Sequence, residues 1–252
     1  MASIDRKGSA PVLVLDEAEY TILTAVCQGA LPATHRRARP LRKAGILDED
    51  GPTPECAPIL EGLSTARRRF AGAVMHAGGG RQTESWIGEE RVTGVLIEGD
   101  AFRLHEVDPC DTPSLTLPLL DLRPRESIDF GHLMLPGEVV ELIDRGDVDR
   151  LESVFARIAA DTDRGGAPGA PDGPSPLTVS FAQRTWVVSV LQCIDRADED
   201  WEMSDIVATL SVPECLYELA YDDTRGEAIT RLAPISSLAV WTRISSWFFP
   251  RR

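Results

Sequence analysis

Residues 69–107 contain the pattern that most constrains the fold of this chain. From 70 to 77 the residues alternate between two sets, as in a β-strand that has one buried face. Three glycines at 78–80 follow, and then three further short apolar segments. Two of these segments are separated by Gly99-Asp100, a two-residue sequence that is typical of a tight hairpin turn. The stretch therefore predicts an antiparallel meander at the centre of the fold.

Composition and charge limit the class of protein. With 43% hydrophobic and 26% charged residues, the 252-residue chain has the composition of a globular protein that can bury a full core. The formal net charge is -14. A surface this acidic repels nucleic acids and anionic membranes, so we expect neither as a partner.

The cysteines and the N-terminal sequence predict a cytoplasmic protein. The five cysteines are an odd number at wide spacings, and none of them forms a CxxC or Cys/His pattern of the zinc-binding kind. Free thiols are therefore expected, which fits a reducing compartment. The first residues contain no apolar segment of the signal-peptide type, and no run approaches the roughly 18 apolar residues of a membrane-spanning helix.

Secondary structure along the rest of the chain follows from periodicity and turn residues. Asp16 and Glu19 form a capping-box pattern at the start of a helix. The remaining expectations are a loose tail at 1–11, a helix within 54–68, a strand at 127–135, a long strand or bent pair at 177–194, strands at 206–212 and 215–221, and a helix from Pro234 to Phe249.

A segment of small and turn-forming residues divides the chain. Residues 165–176 read GGAPGAPDGPSP, which predicts a flexible linker between an N-terminal subdomain (1–164) and a C-terminal subdomain (177–252). A faint internal repeat relates the two parts, because residues 92–115 and 215–238 both read as strand, turn, strand and proline. The sequence thus predicts an α+β fold with an antiparallel β-sheet, helices and two pseudo-two-fold related subdomains.

The segment 32–47 is strongly basic and leaves a regulatory function open. Its six basic residues precede the first acid at Asp48. A helix, a short turn and a basic helix are also the order found in winged-helix proteins, whose second helix enters the DNA groove. Against this interpretation, Pro40 would interrupt the recognition helix. A solvated helical face is the alternative.

No catalytic or metal-binding pattern stands out, and we expect a protein that is not an enzyme and needs no cofactor. The four histidines are scattered, and there is no HExxH, GxSxG or P-loop spacing. His105 and His132 lie on expected strands where they could meet, although a structural role is expected for both. An enzyme whose site is not visible in the sequence stays the third possibility.

The C-terminal helix is rich in large apolar residues. Leu238, Trp241, Ile244 and Phe248 recur at helical spacing, with Trp247 beside them. Such a stripe packs in a core or lies on a membrane. Few basic residues flank it, so core packing is expected, with Trp241 buried.

The order of these parts resembles the EspG family, the cytosolic chaperones of actinobacterial type VII (ESX) secretion. Four stretches carry the resemblance, and the central helical region, which is long in the family, is shortened here. The stretches are LDEAEYTIL with LRKAGILDEDG (15–23 and 41–51), the meander at 69–107, SIDFGHLMLPGEVVELI (127–143) and AYDDTRGEAITRLAPISSLAVWTRI (220–244).

The resemblance implies an EspG-like α+β fold and a cytosolic secretion chaperone. Its partner would be a helical secreted heterodimer of the PE–PPE type, held soluble by a shaped surface without acid–base or metal chemistry. Our first candidates for partner contact are Trp86, Gly79, Gly80 and Arg81, on the expectation that 78–86 forms a loop. A DNA-binding regulator that uses segment 32–47 is the alternative.

Overall fold

The structure is a computed structural model that describes residues 2–8, 10–123, 125, 133–135, 138–164, 176–198, 200–222 and 229–248. Eleven strands lie within these ranges: β1 Ser3–Asp5, β2 Val12–Leu15, β3 Arg68–His76, β4 Gly79–Ile87, β5 Val92–Glu98, β6 Ala101–Val107, β7 Leu133–Leu135, β8 Val187–Ala197, β9 Asp200–Ser211, β10 Leu216–Asp222 and β11 Ile229–Pro234. The same ranges contain eight α-helices: α1 Glu17–Cys27, α2 Arg39–Lys43, α3 Ala57–Thr65, α4 Thr112–Thr116, α5 Glu138–Arg145, α6 Val148–Arg164, α7 Pro176–Gln183 and α8 Ser237–Phe248.

The fold is α+β with an antiparallel sheet, as the sequence predicts. Strands β4, β5 and β6 pair antiparallel as the predicted meander, and β10 pairs antiparallel with both β9 and β11. The β5–β6 hairpin closes at Gly99-Asp100, where Gly99 has a φ of 58°. That left-handed conformation is the one that a glycine adopts without a steric penalty.

The chain folds into two compact units. Unit 1 consists of Met1–Gly72, Arg81–Pro118 and Gln192–Asp205, and unit 2 of Ala73–Gly80, Leu119–Leu191 and Ile206–Arg252. Each unit therefore takes residues from both sides of the predicted linker. Residues 165–175 of that linker lie outside the described residues, and the division into subdomains 1–164 and 177–252 stays a prediction, as does their pseudo-two-fold relation.

In unit 1, the helices α1, α2 and α3 cover the strands β2, β6, β5 and β4, which are neighbours in that order. The capping box is formed, since Asp16 Oδ1 accepts from Glu19 N (2.9 Å) and Glu19 Oε2 accepts from Asp16 N (3.1 Å). Helix α3 lies very close to β5: the Thr93 hydroxyl donates to Ile59 O (2.6 Å). A Cβ on Gly62 would lie 2.4 Å from Thr93 N, so only glycine fits there.

In unit 2, the helices α5, α6 and α7 pack with strands from β8 to β11 around one apolar core. Aromatic rings order this core: Phe155 of α6 stacks on Phe181 of α7 at 4.5 Å, and Trp186 meets Phe155 edge-on at 5.4 Å. Strand β11 pairs with β10 on one side and with β7 on the other. In the described parts of both predicted repeats, the two strands (β5 with β6, and β10 with β11) pair antiparallel.

Outside the meander, three predictions about secondary structure are wrong. The run at 177–194 is divided between helix α7 and the first part of strand β8. The helix ends before Arg184, which has a φ of 56°. The expected loose tail contains β1, which pairs antiparallel with β2. The C-terminal helix begins at Ser237 instead of Pro234, because Pro234 still belongs to β11. Of the strand expected at 127–135, only β7 lies within the described residues.

Candidate functional site

Of the three glycines after β3, Gly78 lies in a tight hairpin turn and the other two begin β4, so they do not form a long loop. Gly78 has a φ of 97°, and β4 begins at Gly79. A Cβ on Gly80 would lie 3.0 Å from Val74 O, so the two strands approach closely at this point. Arg81 is exposed on β4. The loop expected from 78 to 86 is therefore wrong, although partner contact by Gly79, Gly80 and Arg81 stays a prediction.

Trp86 lies in the core of unit 1, which does not fit its predicted role as a surface anchor. Its side chain is 3% exposed, and the indole N–H is 3.0 Å from both Tyr20 Oη and Glu84 Oε2. The Trp201 ring meets it edge-on at 5.3 Å, and the Arg69 guanidinium lies 4.9 Å from the ring centroid. Trp86 thus faces the core from β4 and meets a second tryptophan, which belongs to β9.

The polar groups around Trp86 form a hydrogen-bonded network. Tyr20 O–H donates to Glu84 Oε2 at 2.5 Å. Burial and the neighbouring Glu84 carboxylate both raise the pKa of Tyr20, so its phenol stays protonated as a hydrogen-bond donor. Arg69 reaches Glu84 at 4.0 Å and supplies the balancing positive charge. The arrangement orients Trp86 and joins α1 to β4.

The C-terminal helix α8 has one buried face and one exposed apolar face. Val240, Ile244 and Trp247 are buried, with Trp247 6% exposed. Leu238 and Trp241 point the other way, at 72% and 42% exposed. The prediction that Trp241 is buried is therefore wrong, because the packed stripe is the one through Val240.

Polar contacts at the first residue and near the middle of α8 hold the helix in place within unit 2. The Ser237 hydroxyl donates to Arg123 O at 2.9 Å, and Arg243 pairs with Glu218 of β10 at 3.0 Å. The helix is thus fixed by its inner face and these contacts, without a contribution from Leu238. Leu238 and Trp241 are three residues apart and are neighbours on the helix surface. They form an apolar patch that we call the α8 outer face.

The basic segment forms two short helical pieces and not one recognition helix. A 3-10 helix covers Arg36–Ala38, and α2 covers only Arg39–Lys43. Pro40 lies in the first turn of α2, where its missing N–H is tolerated, so it starts a helix instead of breaking one. Five residues span about 7.5 Å, which is short for a helix that reads a DNA groove.

Groups for metal or redox chemistry do not converge in the part of the chain that the structure describes. Among those residues there is no cluster of three or more His, Cys, Asp or Glu side chains that could hold a metal ion. The five cysteines are free thiols, and burial raises the pKa of Cys27 to about 11. His105 is partly buried, which lowers its pKa and keeps the imidazole neutral, while His132 lies outside the described residues. No helix of the described ranges has the length and apolarity that crossing a membrane requires.

Comparison with known proteins finds similarity at the level of structure. No protein-family profile matches the chain, and no curated protein matches it. Among solved structures, the chain is similar to one described as the Mycobacterium tuberculosis type VII secretion system chaperone EspG5 in complex with the PE25-PPE41 dimer. The identity is 11%, the TM-score is 0.48, and the match covers 93% of this chain and 94% of that one.

Proposed function

We propose that the protein is a cytoplasmic chaperone of type VII secretion and that it binds a helical PE–PPE-like pair through the α8 outer face. The observation that carries the proposal is the exposure of Leu238 and Trp241 on a helix whose other face is packed. The four stretches of sequence that resemble EspG proteins support the choice of partner.

The two side chains have the chemistry of a binding hot spot. Tryptophan is enriched among the residues that dominate binding energy, since it offers a large rigid surface with few rotatable bonds. Leu238 lies beside it and would help to exclude water when the patch is covered. Removing a hot-spot side chain typically costs about 2 kcal/mol or more of binding free energy, which is roughly a 30-fold loss of affinity.

Charge supports a role in keeping a partner soluble. The chain carries 40 acidic and 26 basic residues, so a complex in which it shields an apolar helical tip would keep a charged exterior. The hairpin of Gly79, Gly80 and Arg81 is a proposed second contact. We infer a binding role and not catalysis, because the work of such a chaperone needs a shaped surface only.

Co-expression tests the proposal. The tagged protein is produced together with the PE–PPE-like pair encoded near it, and the pair is expected to co-purify and to reach a higher soluble yield than it does alone. The Trp241→Ala variant should retain little of the pair. Thr242→Ala is the matched control, since Thr242 is an exposed small residue beside the patch whose hydroxyl is used within the helix, where it donates to Leu238 O at 2.8 Å.

Two outcomes would contradict the proposal. In the first, the pair is as insoluble with the protein as without it. In the second, the protein retards a promoter fragment and the retardation weakens steeply with salt, which would favour the DNA-binding regulator.

A further inference from the structure

We infer that unit 1 has an anion-binding pocket beside α2 and that it takes the polyphosphate group of a small molecule. The pocket is an open cavity of about 440 Å³. Its lining includes three cationic side chains, Arg36, Arg39 and Lys43. This site is separate from the α8 outer face, and the inference does not depend on the proposed function.

The three cations have no competing ion pair within the described part of the chain. All three residues are exposed. Other arginines of unit 1 are paired with a carboxylate, such as Arg68 with Asp195 at 2.6 Å. Arg42 of the same segment is used differently, since it donates to Ala33 O and His35 O and so holds the preceding turn. The charges at the pocket are therefore available to a ligand.

One carboxylate also lines the pocket, and it is occupied. Glu19 is 8% exposed, its Oε1 accepts from Ala2 N at 2.7 Å, and its Oε2 accepts from Asp16 N as part of the capping box. The charged side chains of the lining therefore sum to +2. In a chain of net charge -14, this is a local reversal of sign.

This local positive charge favours the binding of a compact anion over that of a long anionic polymer. Charges separated by more than about 8 Å are largely screened at physiological ionic strength, so a small anion responds mainly to the three nearby cations. A duplex carries one charge per roughly 1.7 Å and would extend over the acidic remainder of the surface. Three cations in a pocket of this size match a diphosphate or triphosphate group.

The remaining wall is apolar and offers space for the organic part of a ligand. Ala2, Pro40 and Ala44 line it together with the cations. The cavity is in the size range of pockets that bind small organic molecules, about 300–1,000 Å³. A nucleoside diphosphate would use the cations and the apolar wall together, whereas inorganic pyrophosphate would use only the cations.

Titration calorimetry on the full chain tests the pocket, with ADP and pyrophosphate as separate probes at low salt. We expect one site, with Arg39→Gln and Lys43→Gln each weakening binding about tenfold, since each removes a charge-assisted hydrogen bond. Arg37→Gln is the matched control and should stay within about twofold, because Arg37 is an exposed neighbour that does not line the pocket. The melting temperature of each variant confirms that it is folded.

The two probes distinguish the sources of the polyphosphate group. Tighter binding of ADP supports a nucleotide that contacts the apolar wall, and equal binding supports an inorganic polyphosphate. The inference is overturned if neither probe binds, or if Arg37→Gln weakens binding as much as Arg39→Gln. Binding of a DNA duplex more tightly than ADP would equally overturn it.

Discussion

Two tryptophans on α8 provide a matched test of which face of this helix is packed. Trp247→Ala removes a side chain that is 6% exposed, and Trp241→Ala removes one that is 42% exposed. Both changes lie on one helix and delete the same atoms. Their effects on the free energy of unfolding should therefore differ chiefly because one ring is buried and the other is largely exposed.

The expected difference follows from the buried area. The exposed fractions differ by 36 percentage points (42 minus 6). For an aromatic side chain of up to about 250 Å², this corresponds to roughly 90 Å², or about 2 kcal/mol at about 25 cal/mol per Å². The cavity left by Trp247 adds to this difference, and core tryptophans typically cost about 3–5 kcal/mol when truncated to alanine.

Urea unfolding monitored by circular dichroism measures both effects, with linear extrapolation to water. The free energy of unfolding of Trp247→Ala should be lower than that of Trp241→Ala by at least about 2 kcal/mol. Equal destabilisation by the two substitutions would refute the reasoning, because Trp241 would then be a core residue and the α8 outer face would not exist.

Three further predictions concern unit 1. Gly62→Ala should destabilise the fold by roughly 1–3 kcal/mol, because the new Cβ would lie 2.4 Å from the backbone of Thr93. Urea unfolding measures this effect, and a variant as stable as the wild type would contradict the close approach. Trp86→Phe should lower the free energy of unfolding by about 1–3 kcal/mol, since it leaves buried acceptors without the indole donor. An unchanged urea midpoint would contradict a stabilising role of the network. The hydrogen bond from Arg68 lowers the pKa of Asp195, so the ionised Asp195 stabilises the fold above its unfolded pKa of about 3.9, and this stabilisation is lost as the pH falls through the folded pKa. Asp195→Asn should therefore reduce the loss of stability at acid pH. An unchanged loss would show that the Arg68–Asp195 pair does not contribute.

Local patterns predicted the elements whose structure is decided locally. The alternation along β3, the Gly99-Asp100 turn and the capping box of Asp16 and Glu19 could all be predicted, because each is fixed by residues within a few positions of one another. The α+β class followed from the meander and from the helical stripes of α1 and α6. These parts needed no knowledge of distant contacts.

The elements that were predicted wrongly depend on distant residues. Strand β1 forms through its pairing with β2, and a short polar segment has no local signal for this. The run at 177–194 is rich in β-branched and apolar residues, yet its first part is helical because Leu177 and Phe181, four residues apart, reach the core on one face of α7. Tertiary packing overrides strand propensity there.

The candidate site could be predicted only in part, for the same reason. Helix α8 is apolar on more than one face, so periodicity alone did not decide between the stripe through Leu238 and Trp241 and the stripe through Val240 and Trp247. Trp86 was placed on a loop because its partner Trp201 is remote in sequence. The basic segment was evident from the sequence, but the cavity formed by Arg36, Arg39 and Lys43 depends on the turn before α2.

The affinity of the purified PE–PPE-like pair for the wild-type protein and for Trp241→Ala tests the central claim most directly. Measured by titration calorimetry with Thr242→Ala as the control, the account predicts that Trp241→Ala weakens binding roughly 30-fold or more. It predicts that the control binds as the wild type does. Wild-type affinity in Trp241→Ala, or no binding of the pair to the wild-type protein, would contradict the claim that the α8 outer face binds the partner.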